Sequence, residues 1–168
     1  MAVFSMLGAI MFMSKLVMEF LPNVHLVGAL IVVYTIVYRE KALIPIYIFV
    51  FLTGLYGGFS LWWIPYLYVW TVLWGMVMLL PKHIKPQIAV PVYVIVCSLH
   101  GFLFGTLYAP TQALLMGFTF DQMVAWIVAG FPFDIMHGIG NAVVGLLIFP
   151  LSSAMTKMEK RHGRSIKP

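Results

Sequence analysis

Three polar side chains lie close together in a strongly apolar part of the sequence, PFDIMHGIGN at residues 132–141. Asp134 and His137 are three residues apart and Asn141 follows after four more, so on an α-helix all three share one face. Such a face could act as an acid and base pair, ligate a metal, bind a ligand, or join two helices. The surrounding elements decide among these roles.

Motifs that would support an enzyme are absent from the sequence. It contains no HExxH or GxSxG motif, no cysteine cluster and no second Asp/His motif to complete a metal shell. It also contains no GxxxxGK[ST] nucleotide loop. We therefore predict that the chain is not an enzyme, holds no metal or cofactor of its own, and depends on another chain for energy.

The composition is that of an integral membrane protein. Of 168 residues, 62% are hydrophobic and 9% are charged, and the mean hydropathy is +1.01, outside the range of soluble domains. Apolar runs recur along the whole chain, so we predict one transmembrane domain over residues 1–168. We attribute the net charge of +5 to basic residues that orient the chain in the membrane, and not to nucleic-acid binding. The first run predicts a mature membrane helix and not a signal peptide.

The basic residues predict the membrane topology. They cluster at Arg39 and Lys41, at Lys82 and Lys85, and in the tail at 157–167. By the positive-inside rule all three clusters face the cytoplasm, which requires an even number of crossings between neighbouring clusters. Two crossings in each interval give an all-α bundle of six transmembrane helices with both termini in the cytoplasm.

The interval after Lys85 is predicted to contain the last two spans. We predict one span at about 88–108, ended by Tyr108 to Pro110, and the last at about 132–155, with Pro132 at its start. Residues 110–131 would then form a long, partly helical segment on the outer surface. A seventh crossing is the alternative, but charge parity disfavours it.

The remaining polar residues and a run of aromatic residues fall in the outer half of this predicted bundle. Lys15 and Glu19 are spaced as an i, i+4 pair, which either neutralises itself or meets a ligand. The aromatic residues could instead form an interfacial belt. Asp134 could instead cap the start of a helix. The predicted ligand-binding residues of this outer cavity are Lys15, Glu19, Asn23, His25, Trp62, Trp63, Tyr66, His100, Asp134, His137 and Asn141.

Several segments resemble the substrate-binding S-components of energy-coupling factor (ECF) transporters, a class of ABC importer. The segments are the small residues of the first helix, LPNVHLVG, KALIPIYIFVFLTGLYGGFSLWWIPYLYVW and PFDxxHxxGN. The resemblance extends over nearly the whole chain. The resemblance implies a multi-pass protein of a prokaryotic plasma membrane that captures a vitamin from outside. It also implies docking through Ser5, Gly8 and Ala9 onto a transmembrane scaffold subunit and two cytoplasmic ATPase subunits, which use ATP and Mg²⁺.

The resemblance further implies transport by toppling, in which ATP hydrolysis in the partner subunits rotates the whole chain in the membrane. Cobalamin or a related corrinoid is the expected vitamin, because the sequence is similar to members assigned to that ligand and histidines could lie near its metal. The histidines in question are His25, His100 and His137. The alternative ligand is pantothenate, folate or another vitamin. The alternative function is that of a membrane scaffold subunit without a role in transport.

Overall fold

The computed structural model describes residues 1–21 and 24–161, and this part of the chain is helical without strands. The all-helical prediction is therefore confirmed. A 3-10 turn at Arg39–Ala42 joins α2 to α3, and Leu103 alone separates α5 from α6. The helices are α1 (Ala2–Val17), α2 (Val27–Tyr38), α3 (Leu43–Gly57), α4 (Tyr66–Met78), α5 (Pro86–Phe102), α6 (Phe104–Met116), α7 (Phe120–Gly145) and α8 (Ile148–Arg161).

Two helical stretches of the described residues are long and apolar enough to cross a membrane. The first is Pro86–Met116, which joins α5 and α6 and has 31 residues, and the second is Phe120–Gly145 with 26 residues. At about 1.5 Å per residue the first measures about 46 Å. This length exceeds the roughly 30 Å thickness of a bilayer's hydrocarbon core.

Helix α2 lies at the centre of the bundle. Its sequence, VGALIVVYTIVY, is apolar on every face, which is the pattern of a helix surrounded by other helices. Ten of its twelve residues are buried, and α1, α4, α5, α7 and α8 all contact it. The buried Thr35 hydroxyl donates to the Ile31 carbonyl at 2.7 Å, so its polar group is satisfied within the helix.

Helix α1 packs against α3 through Gly8. A Cβ atom at this position would lie 2.6 Å from Ile48 Cγ2 and 3.0 Å from the Pro45 carbonyl oxygen, so a side chain cannot be added without moving α3. Of the three residues predicted to dock on a scaffold subunit, Gly8 thus faces the interior of this chain. Ser5 is exposed and Ala9 is partly exposed.

The turn after α2 is tied to the end of α4 by Arg39. Its guanidinium Nη2 donates to the carbonyl of Met78, the last residue of α4, at 3.0 Å. The Trp74 indole N–H donates back to the Arg39 carbonyl at 3.1 Å. Because the last carbonyl groups of a helix lack partners within it, Arg39 stabilises the end of α4 in addition to carrying one of the basic charges.

Helices α5 and α7 approach each other closely at two glycines. A Cβ atom at Gly101 would lie 2.9 Å from the Gly138 Cα, and the Ser98 hydroxyl donates to the Gly138 carbonyl at 2.8 Å. Small residues allow helix backbones to come together in an apolar environment. This contact fixes the separation of the two long apolar stretches.

The start of α7 differs from the prediction. We expected the last span to begin at Pro132 and 110–131 to lie on the outer surface, but α7 begins at Phe120 and contains Pro132. Thr119 caps the helix by accepting from the Gln122 N–H at 3.3 Å, while Gln122 accepts from the Thr119 N–H at 2.8 Å. This capping box is the physical reason for the earlier start, and Pro132 removes only one hydrogen bond within the helix.

The two neighbouring helix ends differ from the prediction as well. The predicted helix end at residues 108–110 is wrong, because α6 continues through these residues and ends at Met116. The next residue, Gly117, adopts a left-handed conformation with φ of 71°. Glycine allows this conformation and turns the chain into α7. At its other end α7 stops at Gly145, and residues 148–161 form the separate helix α8, whose Glu159 accepts from the Tyr38 hydroxyl at 2.9 Å.

Replacing Gly101 by alanine should destabilise the protein, because the added methyl group must push α5 away from the Gly138 backbone. We expect a loss of about 1–3 kcal/mol, measured as a lower melting temperature of the protein in detergent. Gly75→Ala is the matched control, since nothing lies within 4 Å of a Cβ at that helical position. Equal melting temperatures for the two variants would contradict the close α5–α7 contact.

Candidate ligand-binding site

A cavity of about 330 Å³ lies between α6 and α7. This volume is at the lower end of the roughly 300–1,000 Å³ that is typical of small-molecule sites. The residues from α7 recur every three or four positions and therefore share one face of the helix. The wall consists of Phe104, Gly105 and Tyr108 from α6 and Trp126, Gly130, Phe133, Asp134 and His137 from α7.

Asp134 is held in the wall by the backbone of α6. The Gly105 N–H donates to Asp134 Oδ1 at 2.9 Å, and a Cβ atom at Gly105 would overlap Oδ2. Asp134 is 6% exposed and lies in the middle of α7, so its alternative role as a helix-start cap is wrong.

The charge of Asp134 has no counter-charge in the cavity wall. None of the lining residues is lysine or arginine, and within residues 1–21 and 24–161 no ion pair forms with this carboxylate. An aspartate at the centre of a membrane-inserted helix costs about 2.5–3.5 kcal/mol on insertion scales. Asp134 therefore raises the free energy of the folded protein unless a ligand supplies a partner for its carboxyl group.

Aromatic rings form most of the remaining wall. The Tyr108 and Trp126 rings are nearly parallel, at 15°, with centroids 6.1 Å apart, and the Phe104 ring lies at 29° to Tyr108 at the same separation. The Tyr108 hydroxyl donates to the Trp62 carbonyl, which fixes the tyrosine against the segment that precedes α4. The cavity thus presents fixed aromatic surfaces beside a single carboxylate.

A cluster of histidine and tryptophan side chains adjoins the cavity. The His25 ring centroid lies 5.1 Å from that of His137 and 6.1 Å from that of Trp70, and Trp70 lies 5.8 Å from His100. Phe104 links the cluster to the cavity, because its ring lies 4.8 Å from His137. We call His25, Trp70, His100, His137 and the neighbouring Asn141 the polar cluster.

Every member of the polar cluster retains one unpaired polar atom. His100 Nε2 donates to the Val69 carbonyl at 2.9 Å, and Asn141 Nδ2 donates to the Cys97 carbonyl at 3.1 Å. Each unpaired buried group costs about 1–3 kcal/mol, so the cluster is a place where water or a ligand would be stabilised. The buried atoms without a partner are His25 Nδ1, Trp70 Nε1, His100 Nδ1, His137 Nε2 and Asn141 Oδ1.

The histidines of the polar cluster do not form a metal site in the described part of the chain. No group of three His, Cys, Asp or Glu side chains there is placed to hold a metal ion. His25 lies in the connection between α1 and α2, outside the helices. Burial, together with the positive charge of Lys15, lowers its pKa to about 4. His25 is therefore an uncharged hydrogen-bonding group at neutral pH.

The structure brings five of the eleven predicted binding residues together. Asp134 and His137 line the cavity, and His25, His100 and Asn141 belong to the adjoining polar cluster.

Of the other predicted binding residues, which are aromatic or lie near the N-terminus, those that the structure describes lie outside the cavity wall and the polar cluster. Tyr66 packs against both Trp62 and Trp70 at 5.6 Å, beside the cluster, whereas the Trp63 N–H donates to the Val50 carbonyl at 2.8 Å and joins α3. Helix α1 ends at Val17, so the exposed Glu19 lies beyond it and the predicted i, i+4 pair with Lys15 does not form. Asn23 lies outside the described residues.

The sequence reasoning missed the aromatic wall of the cavity. The missed residues are Phe104, Tyr108, Trp126 and Phe133. For Trp126 and Phe133 the signal was the helical spacing from Trp126 to His137, which becomes visible only when α7 is extended back to the Thr119 cap.

No known protein family, curated protein or solved structure matches the chain. The function must therefore be inferred from the chemistry of the cavity, the polar cluster and the two long apolar helices.

A double-mutant cycle should show that Gly105 and Asp134 are coupled. Gly105→Ala is expected to destabilise the wild-type protein by about 1–3 kcal/mol, because its methyl group displaces the carboxylate. In an Asp134→Ala background the same change should cost much less, giving a coupling energy of about 1 kcal/mol or more. Unfolding in detergent measures all four variants.

Gly130→Ala is the control for this cycle, because it also lines the cavity but has nothing within 4 Å of its Cβ. Its effect should add to that of Asp134→Ala. Additive effects of Gly105→Ala and Asp134→Ala would show that the Gly105–Asp134 contact does not form.

Proposed function

We propose that this chain is the substrate-binding subunit of an ECF-type vitamin importer in a prokaryotic plasma membrane. The observation that carries the proposal is the cavity between the two long apolar helices, with aromatic walls, one carboxylate and the adjoining polar cluster. A small-molecule site of this kind has a largely apolar wall with a few fixed polar groups. The resemblance of the sequence to S-components supports the same role.

The proposed topology has six crossings with both termini in the cytoplasm. The basic residues support it, since Lys82 and Lys85 precede α5 while Lys157 and Lys160 lie on α8 after α7. The hairpin at Gly117 then faces outward, and the cavity opens toward the outer surface. Helices α1 to α4 have 12–16 residues, fewer than the roughly 20 of a full crossing. We propose that the segments joining these helices supply the remaining length of those crossings.

The size of the cavity bears on which vitamin is bound. A corrinoid is a macrocycle with a nucleotide tail and is larger than the drug-sized ligands that such cavities enclose. A cavity of about 330 Å³ therefore supports a compact vitamin, comparable in size to pantothenate, in place of cobalamin. We propose a ligand of this smaller size.

The proposed partners are a transmembrane scaffold subunit and two ATPase subunits. Helix α1 supports this part, because it presents an exposed apolar surface that includes Met6, Ile10, Met13 and Val17, with the exposed Ser5 beside it. We propose that this surface and Ala9 dock onto the scaffold, while Gly8 packs internally. ATP hydrolysis by the partners would then topple the chain and open its cavity inward.

Binding of a vitamin by the isolated chain tests the proposal. Calorimetry of the detergent-purified protein without ATP, against cobalamin, pantothenate, folate, biotin and thiamine, should detect one ligand per chain. Trp126→Ala should weaken binding about 10-fold, since a lost aromatic contact and its buried area cost on the order of 1.4 kcal/mol. Phe131→Ala on the same helix removes a side chain that is 53% exposed and should leave affinity unchanged.

Purification of the tagged chain from native membranes is the second arm of this test. It should bring down a scaffold subunit and ATPases that carry the GxxxxGK[ST] loop. A chain that binds no vitamin but assembles with other membrane proteins would be a scaffold. A chain that converts a bound compound into a product would be an enzyme, and either result would contradict the proposal.

A further inference from the structure

We propose that the ligand of this cavity is an organic cation, a quaternary ammonium or positively charged aromatic group that pairs with Asp134 between the aromatic rings of α6 and α7. The inference rests on the proposed function and names the chemical class of the substrate at the same site. It follows from the charge of the cavity and from the nature of its walls.

The charge balance of the cavity favours a cation. In the described part of the chain, Asp134 is the one carboxylate that lines the cavity, and no lysine or arginine lines it. The Gly105 N–H holds Oδ1 and leaves Oδ2 for a ligand. A buried carboxyl group is stable in its ionised form only beside a partner of opposite charge, and a cationic ligand supplies the partner that this wall lacks.

The aromatic walls favour the same ligand class. The rings of Phe104, Tyr108 and Trp126 follow one another with adjacent centroids 6.1 Å apart. Phe133 also lines the cavity, next to Asp134 in the sequence. The face of an aromatic ring carries partial negative charge and attracts cations within about 6 Å, most strongly when water is excluded. A carboxylate among aromatic faces is thus complementary to an apolar cation.

Ligands of other charge fit the cavity less well. An anion would meet Asp134 without a basic side chain to bind it, which disfavours pantothenate and folate, since both carry carboxylates. A neutral ligand would leave Asp134 without a counter-charge. Lys15 acts electrostatically on His25 in the polar cluster and does not line the cavity.

Calorimetry with probes of one shape and different charge tests the inference. The probes are choline, its neutral isostere 3,3-dimethylbutan-1-ol and the anion 3,3-dimethylbutanoate, together with the larger cation benzyltrimethylammonium. The full-length protein should bind at least one cation, with choline favoured over the alcohol by about 10-fold and no binding of the anion. Equal affinity for choline and the alcohol, or no binding of either cation, would overturn the inference.

Variants identify the groups responsible for the preference. Asp134→Asn keeps an oxygen that can accept from the Gly105 N–H, so the fold is retained while the charge is lost, and the preference for choline over the alcohol should disappear. Asp121→Asn, an exposed position on the same helix, should retain it. Trp126→Leu should weaken choline more than the alcohol, whereas Phe131→Leu should change neither. A preference that survives Asp134→Asn would overturn the inference.

The two proposals can fail separately. If the chain binds a neutral or anionic vitamin and co-purifies with ATPases, it is an importer subunit and the cation inference is wrong. If it binds cations in an Asp134-dependent manner but assembles with no ATPase, the cation site stands and the importer function is wrong.

Discussion

The contact between α5 and α7 at Gly101 and Gly138 is the constraint on which the candidate site depends. It brings the two backbones so close that no Cβ fits at Gly101, and it sets the register of the neighbouring turns. In that register Asn141 reaches the Cys97 carbonyl on one side, and Asp134 reaches the Gly105 N–H on the other. Beyond Gly105, aromatic residues replace glycine on the facing surfaces, and the cavity lies there.

This arrangement concentrates polar groups in a bundle that is otherwise apolar. Where water is scarce, polar groups must find partners within the protein, and most here do, as with Thr35 in α2 and Ser98 in α5. Most of the exceptions gather in one region, where Asp134 has no counter-charge and the polar cluster retains five unpaired atoms, whereas Arg39 Nε and Gln112 Oε1 lie outside it. This concentration of unpaired groups around one wall supports a site whose partner is a small molecule.

The sequence predicted the helical class and the membership of Asp134, His137, His25, His100 and Asn141 in one region, because their helical spacing and polarity stand out in an apolar chain. It did not predict where α7 begins, since a proline is compatible both with a helix start and with the interior of a long apolar helix. The Thr119–Gln122 capping box was the signal that would have located the start. The role of Gly8 depends on its contact with Ile48, and no spacing rule distinguishes that contact from a docking surface.

Mass spectrometry of the small molecules released from gently purified protein tests the central claim, that the cavity is a binding site for a compact cation. The wild-type protein should retain one cationic compound at a molar ratio close to one per chain, and the Asp134→Asn variant should retain none. Retention of a corrinoid or of an anion, or of only lipid and detergent, would contradict it.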